Sequence, residues 1–306
     1  MKNLIYGTVL LAGALAFSSQ MFAQGRGGGR GQLLPREQPS DKPYDPHNLA
    51  GIWTRNSSPK GYGGGGTCPD CGDRGFGQVV PPLTPFGKMM FDAIKPSYGR
   101  TLGTPDAAAH PEEDIGRRRA VSPANGTDPY QYCNPMGITR ALIYPDPIEF
   151  IQLPDRIYQH FEWGYGIRTI WTDGRKVIDD PDQPRWWGYS TAHWEGDTLV
   201  VITTGEDDRT WLDHFGYPHS VDARFEERYH RINYNTIELN WTVNDPKVYT
   251  KPFVGQTKRF HLISKDDIKT VDGWAGMMED ICAPADEVDQ FDKRIRSLTG
   301  PGPTTK

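Results

Sequence analysis

The amino-acid sequence predicts a mainly β protein: an antiparallel meander that closes into a lipocalin-like barrel or folds into a sandwich, with an irregular N-terminal wrap and few short helices. Three observations predict it. Eight strand-like runs follow one another from residue 148 onward. Most are joined by short turns, and short links connect antiparallel neighbours, whereas parallel strands need long crossovers. Gly and Pro are abundant, at 34 and 26 residues, which favours turn-rich β structure over a helical bundle.

Taken in order, residues 1–23 read as a signal peptide. Lys2 supplies the positive n-region, residues 5–17 form an uncharged apolar run, and Ala23-Gln24 offers a cleavage point. The run is shorter than the roughly 20 residues that cross a bilayer. A periplasmic or secreted location is therefore expected, with no stable membrane insertion after cleavage. Residues 24–48, with GRGGGRG and a Pro-rich stretch, read as a flexible linker. Residues 49–140 are expected to form the irregular wrap. It holds a short strand over 49–54, a Gly-rich loop carrying Cys68 and Cys71, and a helix over 83–94 in which Thr84 can cap and Pro85 suits the first turn. The barrel is expected over 141–285 and a C-terminal tail over 286–306. Its strands are predicted at 148–153, 156–163, 166–172, 187–194, 198–204, 225–232, 237–243 and 257–263.

The four cysteines would meet an oxidising compartment after export. The expected pairing is Cys133 with Cys282, and Cys68 with Cys71 as a local loop. A c-type haem needs His after the second Cys of CPDC, and position 72 is Gly. A zinc knuckle needs a second ligand pair of similar spacing, and the sequence has none. Neither haem nor nucleotide is expected. The net charge of −5 gives no reason to expect nucleic acid.

Strand parity groups the candidate binding residues. Trp187, Tyr189, Thr191 and His193 share one face, and Phe225, Glu227, Tyr229 and Arg231 share another. Ile237, Leu239, Trp241 and Val243 form an apolar face. With nine Trp, fourteen Tyr and twelve Phe in the chain, Trp187, Tyr189, His193, Tyr229 and Trp241 are the expected lining of a cavity for a small, partly apolar ligand. Parity leaves open which face of each strand is the lumen.

A second function class comes from the loop WLDHFGYPHS at 211–220. Asp213, His214 and His219, with Glu226 or Glu227 downstream, are ligand types a divalent metal wants, and a metal at His214 and His219 is the one cofactor left open. In the enzyme reading, a hydrolase, lyase or isomerase, His219 is the acid–base residue, Asp213 orients it and Glu227 is a second carboxylate. An Asp–His pair near Ser220 also resembles nucleophilic catalysis. A structural reading stands beside both: Trp211 packs, Asp213 caps the turn and His219 bonds backbone. A third class is an interaction protein of the cell envelope, which would show an exposed aromatic patch.

WEGDTLVVITTG, TWLDHFGYPHS, FEERYHRI and TVNDPKVYTKPF, together with DPYQYCNPMGITRAL and LTPFGKMMF, resemble a group of secreted bacterial proteins of acidobacteria and some proteobacteria. The resemblance runs from about Leu49 to Cys282 and omits the CPDC loop. It implies fold and export and names no substrate.

Overall fold

The computed structural model describes residues 39–55, 75–77, 79–97, 121–164, 166–179, 181–268 and 277. The expected signal peptide, most of the expected linker, the CPDC loop, Cys282 and the expected C-terminal tail lie outside these residues, so neither cysteine pairing is described. Cys133, the cysteine among the described residues, is not a free thiol.

Ten strands are described: β1 (Gly51–Thr54), β2 (Ile148–Gln152), β3 (Arg156–Phe161), β4 (Gly166–Trp171), β5 (Tyr189–Glu195), β6 (Thr198–Thr204), β7 (Arg224–Asn233), β8 (Thr236–Asn244), β9 (Phe253–Val254) and β10 (Lys258–Leu262). Consecutive strands are neighbours from β1 to β9, and β10 pairs with both β1 and β8. That double pairing closes nine strands into a barrel. The expected barrel is present, and its strands fall within a few residues of those predicted. β1 lies in the wall between β2 and β10, so the barrel draws a strand from the segment expected only to wrap it.

One pairing departs from the antiparallel meander: β4 and β5 run parallel, in register at Ile170 with Ser190 and Trp171 with Thr191. The physical reason is the connection over 172–188, long enough for the crossover that a parallel pair requires. Elsewhere short turns enforce antiparallel pairing. Glu195 pairs with Thr198 across Gly196, whose φ of +56° suits the first central position of a two-residue hairpin loop.

Alternation along the strands decides what fills the barrel. Ile157, Phe161, Ile170, Ala192, Leu199, Val201, Phe225, Leu239, Trp241 and Phe260 are buried in one core cluster. Each large apolar side chain contributes about 1.5–3 kcal/mol through burial. Tyr229 and Trp241 are among the packed residues, so the lumen at their level is occupied by side chains instead of presenting an open lipocalin-like cavity. Removal of apolar area from water drives this packing.

Helices are few among the described residues. In α1 (Pro85–Ala93), Thr84 accepts a hydrogen bond from the Gly87 amide at 3.0 Å and Pro85 opens the first turn, as the sequence predicts. α2 (Ile138–Ile143), whose six residues are all buried, has no counterpart among the elements expected from sequence. Its polar residues Thr139 and Arg140 are buried with the apolar ones, so there is no solvent-facing polar side and no amphipathic stripe to read. α3 (Lys265–Ile268) is one short turn after the last strand.

Candidate functional site

A buried charge cluster crosses the barrel interior. Arg168 on β4 makes a two-pronged ion pair with Glu227 on β7, at 2.7 and 2.9 Å. Its remaining donors reach Gln159, Ser190 and Thr203. The Tyr229 hydroxyl donates to Glu227 at 2.6 Å and accepts from Gln159 at 3.1 Å. Burial alone would depress the Arg168 pKa, but the Glu227 carboxylate outweighs it and holds the guanidinium above its ordinary value. Burial, reinforced by the same carboxylate, pushes Tyr229 well above an ordinary phenol. Tyr229 is thus a neutral donor. Every group in this cluster has a partner, which is what a structural network in a water-free interior requires.

No hydrogen bond or ion pair joins Asp213, His219 and Glu227 to one another; each has other partners. Asp213 accepts from the backbone amides of Phe76, Phe215 and Tyr217, tying residues 75–77 to the 211–217 turn. His219 sets Nδ1 against the Ser220 carbonyl at 3.1 Å and Nε2 against the Thr210 hydroxyl at 2.7 Å. Glu227 is spent on Arg168 and Tyr229. The structural reading of Asp213 and His219 is the one the geometry follows. Ser220 donates its hydroxyl to Asp245 at 3.0 Å, so the imidazole beside it is not its partner. His214 packs its ring on Tyr144 with centroids 4.6 Å apart. Among the described residues no cluster of three or more His, Cys, Asp or Glu is arranged to hold a metal ion.

Glu206, a carboxylate outside the cluster expected from sequence, is the more unusual one. Glu206 is buried; its Oε1 accepts from the Ile138 amide at 3.0 Å and the Thr210 hydroxyl at 2.9 Å, while Oε2 has no hydrogen-bond partner. Burial pushes its pKa up, against the opposing pull of His219, the Ile138 amide, Thr210 and Arg168. Because folding raises this pKa, the folded chain holds the proton more tightly than the unfolded one. Stability from this group is complete below about pH 4.3, the unfolded-chain value, and is lost as pH rises through the folded value. Urea unfolding of the protein and of Glu206→Gln across this range should therefore show the wild type losing stability relative to the variant as pH rises. Parallel pH profiles would refute the assignment.

A concave feature among the described residues lies on the outer wall. A cleft of about 350 Å³ is lined by Ile167, Thr169 and Trp171 from β4, by Tyr189 and Thr191 from β5, and by the 172–188 connection. The connection contributes Arg175, Lys176, Ile178, Arg185, Trp186 and Trp187. Parity explains the lining: Arg168 and Ile170 point into the barrel, so Ile167, Thr169 and Trp171 point out. Ser190 and Ala192 point in, so Tyr189, Thr191 and His193 point out.

The connection is strapped to the segment after β6. Arg185 and Glu206 form an isolated bridge, with the Arg185 amide donating to Gly205 and the Asp207 amide donating to Arg185, each at 2.9 Å. Gly205 adopts φ +63°, and a Cβ there would sit 2.3 Å from the Pro181 ring. No other residue fits that crossing without displacing the strap. The Tyr189 hydroxyl donates to the Gln183 carbonyl at 2.8 Å, and the Arg209 guanidinium lies 4.2 Å from the Trp186 ring centroid.

Of the binding residues expected from sequence, Trp187 and Tyr189 line this cleft, and Trp187 also stacks flat on Phe161 with centroids 4.9 Å apart. His193 is exposed farther along β5 and bonds Glu195 at 3.2 Å. Tyr229 and Trp241 are in the core. Trp171, Trp186, Lys176 and Arg185 are not among the binding residues expected from sequence: the last three lie on the connection, which carries no strand periodicity, and Trp171 lies on β4, whose outward face parity alone does not assign. Arg168 did leave a signal: it shares parity with Ile170, and a charge in phase with an apolar face marks a buried partner. No family model, curated protein or solved structure matches the chain.

Proposed function

We propose that the protein is exported and binds a small, partly apolar ligand in the outer-wall cleft between β4 and β5. The cleft itself carries this reading. Its volume of about 350 Å³ is at the lower end of the range typical of small-molecule sites. Trp171, Trp186, Trp187 and Tyr189 offer ring faces, and Ile167 and Ile178 leave 58% and 46% of their surface exposed. Isolated exposed apolar residues are ordinary, but two beside four aromatic rings in one concavity form a surface that gains by being covered. Export rests on the N-terminal charge and hydropathy pattern. The enzyme reading built on Asp213, His219 and Glu227 gains no support, since those side chains are engaged apart from one another.

Native mass spectrometry of protein isolated from the periplasm tests the binding reading. A ligand adduct is expected on the wild type and should be lost from Thr169→Trp, which fills the cleft from its floor. An adduct retained unchanged by a folded Thr169→Trp protein would refute the location.

A further inference from the structure

The cleft's charge is unlike that of the chain around it. Overall the protein carries a net charge of −5, yet the lining includes Arg175, Lys176 and Arg185 and no Asp or Glu. Arg175 is already committed. It pairs with Asp173 at 2.7 Å, pulling that carboxyl down to about 2, and its guanidinium stacks 3.5 Å from the Trp171 centroid. Lys176 and Arg185 differ: among the described residues neither makes an ion pair with an acid. Arg185 lies over the Tyr189 ring at 4.5 Å, and its backbone is held by the bridge to Glu206. A guanidinium held against an aromatic face keeps its outer donors for a further partner.

We infer that the ligand of this cleft is a planar organic anion, with its ring against Trp186, Trp187 and Tyr189 and its anionic group held by Lys176 and Arg185. The inference rests on the cleft being the binding site and adds the chemistry of what fills it. Aromatic walls favour a flat, polarisable body. Two uncommitted cations beside them favour a carboxylate, sulfate or phosphate on that body, because charge-assisted hydrogen bonds are the strong ones. A neutral ring of the same shape would give up those bonds.

Calorimetric titration of the full chain with 2-naphthoate and with 2-naphthamide, identical in ring and different in charge, tests the inference. The carboxylate is expected to bind at least tenfold more tightly than the amide. The double variant Lys176→Ala/Arg185→Ala should lose about tenfold in naphthoate affinity and little in amide affinity, as expected for charge-assisted contacts. Raising salt should weaken naphthoate binding in the wild type more than in the variant. Both lysine and arginine are exposed, so the variant's thermal unfolding should match the wild type's. Equal binding of the two probes, unaffected by the double variant but abolished by Thr169→Trp, would overturn the anionic ligand and leave the cleft reading standing. Binding that survives Thr169→Trp, or no binding of either probe, would overturn both.

Discussion

Replacing Glu227 with Ala is expected to cost about 3–5 kcal/mol of folding stability, the usual penalty for removing one partner of a buried ion pair. Glu227 and Arg168 are each 1% exposed. Without the carboxylate, the guanidinium keeps only the neutral acceptors Gln159, Ser190 and Thr203, and Tyr229 loses the group its hydroxyl donates to. Urea denaturation measures the loss directly. The double replacement Arg168→Met/Glu227→Leu should recover most of it, because an apolar pair of similar volume leaves no charge without solvent. The contrast with the catalytic reading is sharp. A carboxylate kept for chemistry would be removed at little structural cost, so a loss below about 1 kcal/mol would contradict the assignment made here.

The second large effect is expected at Asp128→Asn. Asp128 and Arg140 are buried and joined by two bonds of 2.7 and 2.6 Å, and Asp128 also accepts from the Tyr130 amide at 3.0 Å. This pair fastens the turn at 128–133 to α2, whose other residues are apolar except Thr139. An Asn side chain keeps the shape but withdraws the negative charge from this two-bond pair, at a cost of about 3–5 kcal/mol. Hydrogen exchange should report the damage first in the amides of α2. Unchanged protection there would show that the pair does not hold the helix.

Much of the wall was legible in the residues. Thr198, Leu199, Val200 and Val201 next to Glu195-Gly196-Asp197 announce a hairpin, and Thr84-Pro85 announces a helix start, because both signals are local. The site was not. Tyr189 and His193 were grouped by parity, yet parity is blind to which side of a sheet becomes the lumen. Closure of the barrel puts Ser190 and Ala192 inside and turns Tyr189 outward, away from Tyr229 and Trp241, which sequence alone groups with it around one cavity. Glu206, next to the acids Asp207 and Asp208, resembles a solvated run. Its burial depends on Ile138, which donates to it from 68 residues away.

Alternation and turn chemistry act over a few residues, so the order of amino acids specifies a mainly β chain, where most of its strands begin and end, and how most neighbours are joined. The parallel run of β4 and β5, the separate partners of Asp213, His219 and Glu227, and the meeting of the aromatic and cationic residues of the 172–188 connection on the outer wall emerge with the folded chain. Those outcomes depend on contacts between distant segments. Barrel closure and the exclusion of water from its interior select them, and no local pattern encodes them.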